Sequence, residues 1–504
     1  MKTILLFYPA TWPRGARGRI PYALLYLERM VRRPDIEVII IDEQATPDYL
    51  PVIERVKGRL LLAGVSAMTG NQIRGGIQFS KIVKEMAGRQ VPVVWGGWHP
   101  TLLPENVLNE SFVDFVVSGQ GEKAFLQLVE AVLSGNSTEG IAGTGYKLDG
   151  RYVINDPDPF ADINIFPKVN YEIIDISNYT FRSSYSEKCI GYFCSHGCPY
   201  NCAFCCLAKV FKRKWYRKNI DEIIEDLAYF KAKTGIDSVT FDDDNFFVNR
   251  DFALELSRRM IDSKLGLHWD TSAHAGSFLR TYTDEDIELF YQSGCRQIYV
   301  GAESGDQAIL DLISKGTSVE DNIRFVELLK KHKIMPMFSA MVGFPVNGGK
   351  DFNMTLDMIR RAKLVDRTLR ARVFFYTPYP GTDLYNLALQ EGFVPPTKLE
   401  SWPDHTLRKF KAPWVNDNLR LDLEIFANFF FPLCNPDFYR TVPVKSLQPV
   451  VWLINKIFFP MAYLRFRYNF FRWPVEALLF LYVLRLFNRI TGNSFSLGYE
   501  TYLD

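Results

Sequence analysis

The chain has little histidine, six residues in 504, and its eight cysteines are not spread along it. Evenly spaced cysteines would suggest a disulfide framework and secretion; their clustering argues instead for a metal site in a reducing compartment. Neither charge is in excess, since 59 Lys and Arg against 57 Asp and Glu leave a formal net charge of +2. Such a balance gives no overall field for nucleic acid, and no basic helix or aromatic RNA platform supplies a local reason, so nucleic acid is not an expected partner. No uninterrupted apolar run reaches the roughly 18 residues of a membrane-spanning helix. The opening "MKTILLFYPATWPRG" has too short an apolar run for a signal peptide and no cleavage site, so it reads as a buried first strand of a cytoplasmic protein. The length exceeds what one core usually fills, and two or three domains are expected.

What is present falls into blocks. "TILLFYP", "EVIIIDEQ", "RLLLAGVSA", "VPVVWGG" and "DFVVSGQGE" are short apolar runs separated by amphipathic helical patterns. Continuous apolar strands alternating with helices describe a parallel sheet covered on both faces, so residues 1–150 read as a doubly wound α/β domain. Ligands of such domains sit at the carboxyl ends of the strands, where "SAMTGNQ", "GGWHPTLLPE" and "SGQGE" fall. Residues 151–185, with "NDPDPFADINIFPK", read as a linker. From 186 to 400 a second series has strands at "IGYFC", "SVTFDDD", "LHWDTSA", "QIYVGAES", "PMFSAMVGF" and "RVFFYTPYP". Six βα units make a partial barrel, two short of the usual eight, with an open side for a large substrate. Thr283 with Asp286, and Ser318 with Asp321, have the spacing of capping boxes at two helix starts. Residues 401–504 read as mostly helical. Within them, 450–490 interleaves Lys456, Arg465, Arg467, Arg472, Arg485 and Arg489 with Trp, Phe, Tyr and Leu against a single acid, Glu476. That pattern suits a helix lying on a membrane surface, or the core of a cap over the barrel mouth.

The stretch "CSHGCPYNCAFCC", residues 194–206, holds five of the eight cysteines. One register sets three of them as C-x-x-x-C-x-x-C, at Cys198, Cys202 and Cys205. Three thiolates can hold three irons of a 4Fe-4S cube and leave the fourth iron open to a small molecule, whereas an electron-transfer cluster normally takes four. Structural zinc is the alternative, with His196 as a fourth ligand. Cys189, Cys194, Cys206, Cys295 and Cys434 read as small buried hydrophobes.

With Phe204 before the last cysteine, the motif resembles the signature of the radical S-adenosylmethionine (SAM) enzymes. "FDDDNF", "GAESG", "MVGFP" and "YTPYPGTDLY" resemble that family's strand-end segments, in order. "VVWGGWHPTLLPE" and "SGQGEKAF" resemble the Rossmann-like, cobalamin-binding-type domain of one branch, related to radical SAM methylases and to the anaerobic tetrapyrrole cyclase and hopanoid-modifying relatives. The resemblance implies a 4Fe-4S cluster on Cys198, Cys202 and Cys205, and SAM contacts from Phe204, Asp243, Asp244, Glu303, Ser304 and Tyr376. It implies cobalamin contacts from Ser66, Met68, Thr69, Gly96, Gly97, His99, Gly119, Gly121 and Glu122. No D-x-H-x-x-G is present, so histidine-ligated cobalamin is not indicated. Catalytic acid or base residues are not singled out.

Simpler readings stand beside these. The glycines serve as strand-end turns, His99 as a satisfied turn histidine, Asp242–Asp244 as helix-start caps, and one of His268 and His274 as packing alone. A buried Glu303 needs a cationic partner, which the SAM ammonium would provide. The implied activity is reductive cleavage of SAM to a 5'-deoxyadenosyl radical, used for cobalamin-dependent C-methylation of a hydrophobic substrate. Without cobalamin, the alternative is cyclisation, ring contraction or carbon-carbon coupling on a lipid, terpenoid or tetrapyrrole. Implied partners are that substrate, an external reductant such as flavodoxin or ferredoxin, and the inner face of a membrane through residues 450–490.

Overall fold

The structure, a computed structural model, describes residues 1–11, 19–183, 185–346, 349–407, 409–435, 439, 448–468, 470, 473–479, 482, 486 and 489. The first sheet comprises β1 (Lys2–Tyr8), β2 (Ile36–Asp42), β3 (Leu60–Ser66), β4 (Val93–Gly96), β5 (Phe115–Val117), β6 (Thr144–Leu148) and β7 (Arg151–Ile154). Its order is β2-β1-β3-β4-β5-β6-β7, parallel through β5 and antiparallel beyond. Because successive strand residues face opposite ways, Leu5, Phe7, Val65 and Trp95 pack with helix Asn71–Met86 on one face. Ile4, Leu6 and Leu62 pack under helices Tyr22–Val31 and Gly121–Ser134 on the other. A Cβ on Gly76 would lie 2.6 Å from the Trp95 ring, so glycine lets that helix press onto the strand.

The hairpin β6–β7 departs from expectation, and β7 lies inside the stretch assigned to a linker. Its strands alternate too weakly to signal themselves, with Lys147, Leu148, Arg151 and Tyr152 exposed at the sheet edge.

The second sheet comprises β8 (Thr180–Phe181), β9 (Cys189–Tyr192), β12 (Ser238–Phe241), β13 (His268–Ala273), β14 (Cys295–Glu303), β15 (Met335–Val342) and β16 (Arg370–Phe375). A small ribbon, β10 (Ser195–Gly197) with β11 (Trp215–Arg217), leaves the end of β9. The order β16-β15-β14-β13-β12-β9-β8 ends on two strands that do not pair with each other, so the barrel is open. The six expected parallel strands are all present, with β8 added antiparallel at the edge. Both capping boxes form, at Thr283 and Ser318.

After the barrel the chain turns back to the first domain. Leu399 and Trp402, in the 3-10 turn Leu399–Asp404, are buried in its core, and the Trp402 ring meets the rings of His99 (5.3 Å) and His405 (5.0 Å) edge-on. The C-terminal region is helical as expected, but it opens on an apolar Trp-Pro turn that finds its burial in the neighbouring sheet. Helices Asp417–Ile425 and Gln448–Arg467 follow. Lys363 of the barrel helix Asp351–Val365 donates to Asn435 Oδ1 at 2.6 Å, and Asn455 donates to Asn435 O at 3.0 Å, tying this part to the barrel. The reading of 450–490 falls in part, including Arg472 and Arg485, outside the described residues. No helix among the described residues is long and apolar enough to cross a membrane.

Candidate functional site

The cysteine loop lies over the carboxyl ends of the barrel strands and is held from several of them. Past β12, buried Asp243 accepts from Ser195 N and Oγ and from Cys194 N, and Asp244 Oδ2 accepts from Gly197 N at 2.8 Å. Past β13, His274 stacks on Tyr200 with centroids 4.5 Å apart. Past β14, Ile313 O accepts from Ala203 N at 2.9 Å, and past β16, Leu384 N donates to Ala203 O at 3.0 Å. Four strand ends thus fix one loop, as a precise site requires.

Exposure sorts the cysteines. Cys198, Cys202 and Cys205 are partly exposed, while Cys189, Cys194, Cys206, Cys295 and Cys434 are buried. Burial pushes the Cys198 and Cys202 thiols up, and the charge of Lys315 pulls against it at all three positions. Free thiols in this setting are protonated, so iron loading must release protons. Among the described residues no three His, Cys, Asp or Glu side chains converge tightly enough for a single ion. A zinc site needs that convergence, whereas a cube places each thiolate on its own iron. His196 is turned to the first domain, its Nε2 3.2 Å from the Tyr26 hydroxyl. The donor set therefore fits a three-cysteine cluster better than zinc.

Beside the thiols sits a residue the sequence did not flag. Lys315 is buried and donates to Glu303 Oε1 at 2.8 Å, with its ammonium 6.0 Å from the centre of the Phe204 ring. Burial would pull Lys315 down, but Glu303 and the cysteines outweigh it and its pKa lies above the usual lysine value. The cation that Glu303 requires is thus supplied by the chain itself. Glu303 also holds a left-handed backbone, φ 54°, at the end of β14, a strained conformation of the kind that collects at functional sites. Ser304 is buried and accepts from Asp306 N at 3.1 Å. Tyr376 is buried and stacked on Phe344, centroids 5.3 Å apart. Burial raises Asp243 to about 7 and Asp244 to about 6. His274 caps the helix Ala275–Thr281 and its Nε2 contacts Lys315 O at 2.5 Å, while His268 begins β13 at the far end.

In the first domain the carboxyl ends of β3, β4 and β5 bring together Ser66, Met68, Thr69, Gly96 and Gly119, of which Met68 is exposed and the others are partly exposed or turn backbone. Gly97 has φ 97°, and a Cβ there would lie 2.7 Å from Ala67 O, so the turn demands glycine. His99 has no exposed surface: Nδ1 lies 3.0 Å from Thr69 Oγ1 and Nε2 3.4 Å from Asn106 Oδ1. Burial lowers it to about 4. Both ring nitrogens are thus engaged by Thr69 and Asn106. Gly121 starts the helix Gly121–Ser134, and Glu122 is buried against Arg29, 3.1 Å away. The open floor of small residues fits a flat macrocycle held without a histidine ligand.

Residues 192–359 match the Radical SAM superfamily and residues 20–129 match the B12 binding domain. An uncharacterized methyltransferase of Pyrococcus horikoshii is 29% identical over 379 residues, covering 74% of this chain and 79% of that one. An anaerobic magnesium-protoporphyrin IX monomethyl ester cyclase of Synechocystis is 23% identical over 305 residues, which span 60% of this chain and 59% of that protein. The solved structure of the cobalamin-dependent SAM radical enzyme OxsB, with aqua-cobalamin and SAM bound, shares the fold: TM-score 0.72 at 14% identity, over 100% of this chain and 77% of that one. Each matched region falls within the stretch of chain that builds one of the two sheets, and the Radical SAM match includes the cysteine loop. This chain is a radical SAM enzyme that carries a B12-binding domain ahead of its barrel.

Proposed function

We propose that the enzyme is a cobalamin-dependent methylase that attaches a methyl group to an unactivated carbon of a hydrophobic or amphipathic substrate. One observation carries the reading: helix Trp98–Leu102, leaving β4 of the first domain, packs on helix Leu207–Val210, which follows the cysteine loop. The two candidate cofactor sites are therefore neighbours, as a methyl donor and a radical source acting on one substrate must be. Their sequence assignment divides the chain at about 150, 185 and 400, with the hairpin β6–β7 and the turn Leu399–Asp404 joined to the first domain.

When bound, the cluster supplies the electron that splits SAM into a hydrogen-abstracting radical, and cobalamin supplies the methyl group. The chain's own residues do the rest. Cys198, Cys202 and Cys205 would hold three irons of the cluster and leave the fourth without a protein ligand. Asp243 and Asp244 fix the loop backbone that carries those thiols. Glu303 and Lys315 present paired opposite charges suited to the ammonium and carboxylate of SAM, with Phe204 beside them and Ser304 and Tyr376 supporting the wall. Ser66, Met68, Thr69, Gly96, Gly97, Gly119 and Gly121 form the floor for the corrin, supported by His99 and Glu122. A flavodoxin or ferredoxin delivers the electron from the cytoplasm, and the substrate comes from a membrane surface.

The test uses SAM with a deuterated methyl group, an apolar cell extract and strong reductant under anaerobic conditions. Carbon-bound deuterated methyl in the organic phase, dependent on cobalamin and accompanied by deoxyadenosine, is expected. Deoxyadenosine release with no methyl transfer, with or without cobalamin, would overturn methylation in favour of ring formation or coupling.

A further inference from the structure

The helix Gln448–Arg467 is mostly apolar, and its apolar side chains are not confined to one face, so in water more than one side calls for cover. One side has it: Asn455, Ala462 and Phe466 are buried on the preceding helices. The other side does not. Leu453, Ile457, Pro460 and Leu464 recur at intervals of four, three and four residues and so form one stripe, and all are exposed, Ile457 by 63%. Just past the helix, Trp473 is 79% and Leu479 61% exposed. Exposed apolar residues scattered singly need no explanation, but a contiguous stripe marks a surface that something covers.

Charge indicates what. Lys456 and Arg467 flank the stripe and are exposed, with the Lys456 ammonium 4.1 Å from the centre of the exposed Trp452 ring. Arg465 is ion-paired to Glu476, the one acid of the segment, so that acid is already neutralised. A second copy packed isologously on this face would set Lys456 and Arg467 near their own kind. An anionic bilayer removes the conflict: lipid headgroups pair with the cations, acyl chains receive Leu453, Ile457 and Leu464, and indole rings settle at the boundary. No helix among the described residues is long and apolar enough to cross a membrane, so contact with a bilayer would run along its interface.

We infer that the face formed by Leu453, Ile457, Leu464, Lys456 and Arg467 docks the enzyme on an anionic lipid surface. The inference deepens the reading of a membrane-borne substrate but rests on exposed surface rather than on methyl transfer, so either can fail alone. The experiment is flotation of the full-length enzyme with vesicles of phosphatidylcholine, or of phosphatidylcholine with about 30% phosphatidylglycerol. Wild type is expected to float with the anionic vesicles, and less so at high salt. The triple variant Leu453→Ser, Ile457→Ser, Leu464→Ser is expected to bind about tenfold more weakly, and Lys456→Glu with Arg467→Glu to lose the preference for anionic lipid. These positions are exposed and lie outside the residues assigned to either cofactor, so SAM cleavage to deoxyadenosine should stay at the wild-type rate and report a folded enzyme. Failure of wild type to float, binding unchanged in the triple variant, or a wild-type dimer in sedimentation that the triple variant abolishes would each overturn the inference.

Discussion

Cys202 and Cys206 lie four residues apart, yet one is partly exposed beside Lys315 and the other is buried, its thiol pushed up to about 11 by desolvation. Cys202→Ala is therefore expected to lose the iron and all deoxyadenosine formation with the circular dichroism unchanged, while Cys206→Ala keeps both iron and turnover. Retained turnover in Cys202→Ala would sink the cluster assignment. The spacing of Cys198, Cys202 and Cys205 was readable because a thiolate cluster forces it locally. Lys315 was not readable: in "DLISKGTS" it looks like a solvated lysine, and only the order of β14 beside β13 and β15 buries it on Glu303. Removing one member of such a pair leaves a buried charge alone, so Lys315→Met should destabilise the fold by about 3–5 kcal/mol. Adding Glu303→Gln to Lys315→Met should recover much of that in denaturant unfolding. A loss under about 1 kcal/mol in the single variant would show that Glu303 finds another partner.

At the scale of elements, the barrel strands announced themselves as apolar runs ending in polar or glycine-rich turns. The hairpin β6–β7 and the turn Leu399–Asp404 did not, since one is a half-exposed edge and the other gains its burial only from a distant sheet. That turn makes a pH prediction. Burial lowers both His99 and His405 to about 4, below the unfolded value near 6.5. Between those values the unfolded chain binds protons that the folded one refuses, so stability falls as pH drops from about 6.5 through 4 and is level above. The loss is on the order of 3 kcal/mol for each histidine, read as a falling denaturation midpoint of the first domain. A midpoint flat across that window would contradict the packing of Trp402 between the two rings. Trp402→Ala should cost the domain about 3–5 kcal/mol and open the rings to solvent.

For the whole molecule, the two-domain plan was legible because each sheet carries its own period of strands and helices, and the cysteine motif named the chemistry of the second. The closeness of the two sites was not, because it depends on how the domains dock, through Tyr22 to Gly191 O, Tyr26 to His196, and helix Trp98–Leu102 on Leu207–Val210. The central claim, a radical source and a corrin side by side in one chain, is tested most directly by iron and cobalt content after anaerobic production with cobalamin supplied. About four iron atoms and about one cobalt per chain are expected. Iron without cobalt would contradict it, leaving a cobalamin-type fold without its corrin and turning the search to cyclised or coupled products. Zinc in place of iron would remove the radical chemistry altogether.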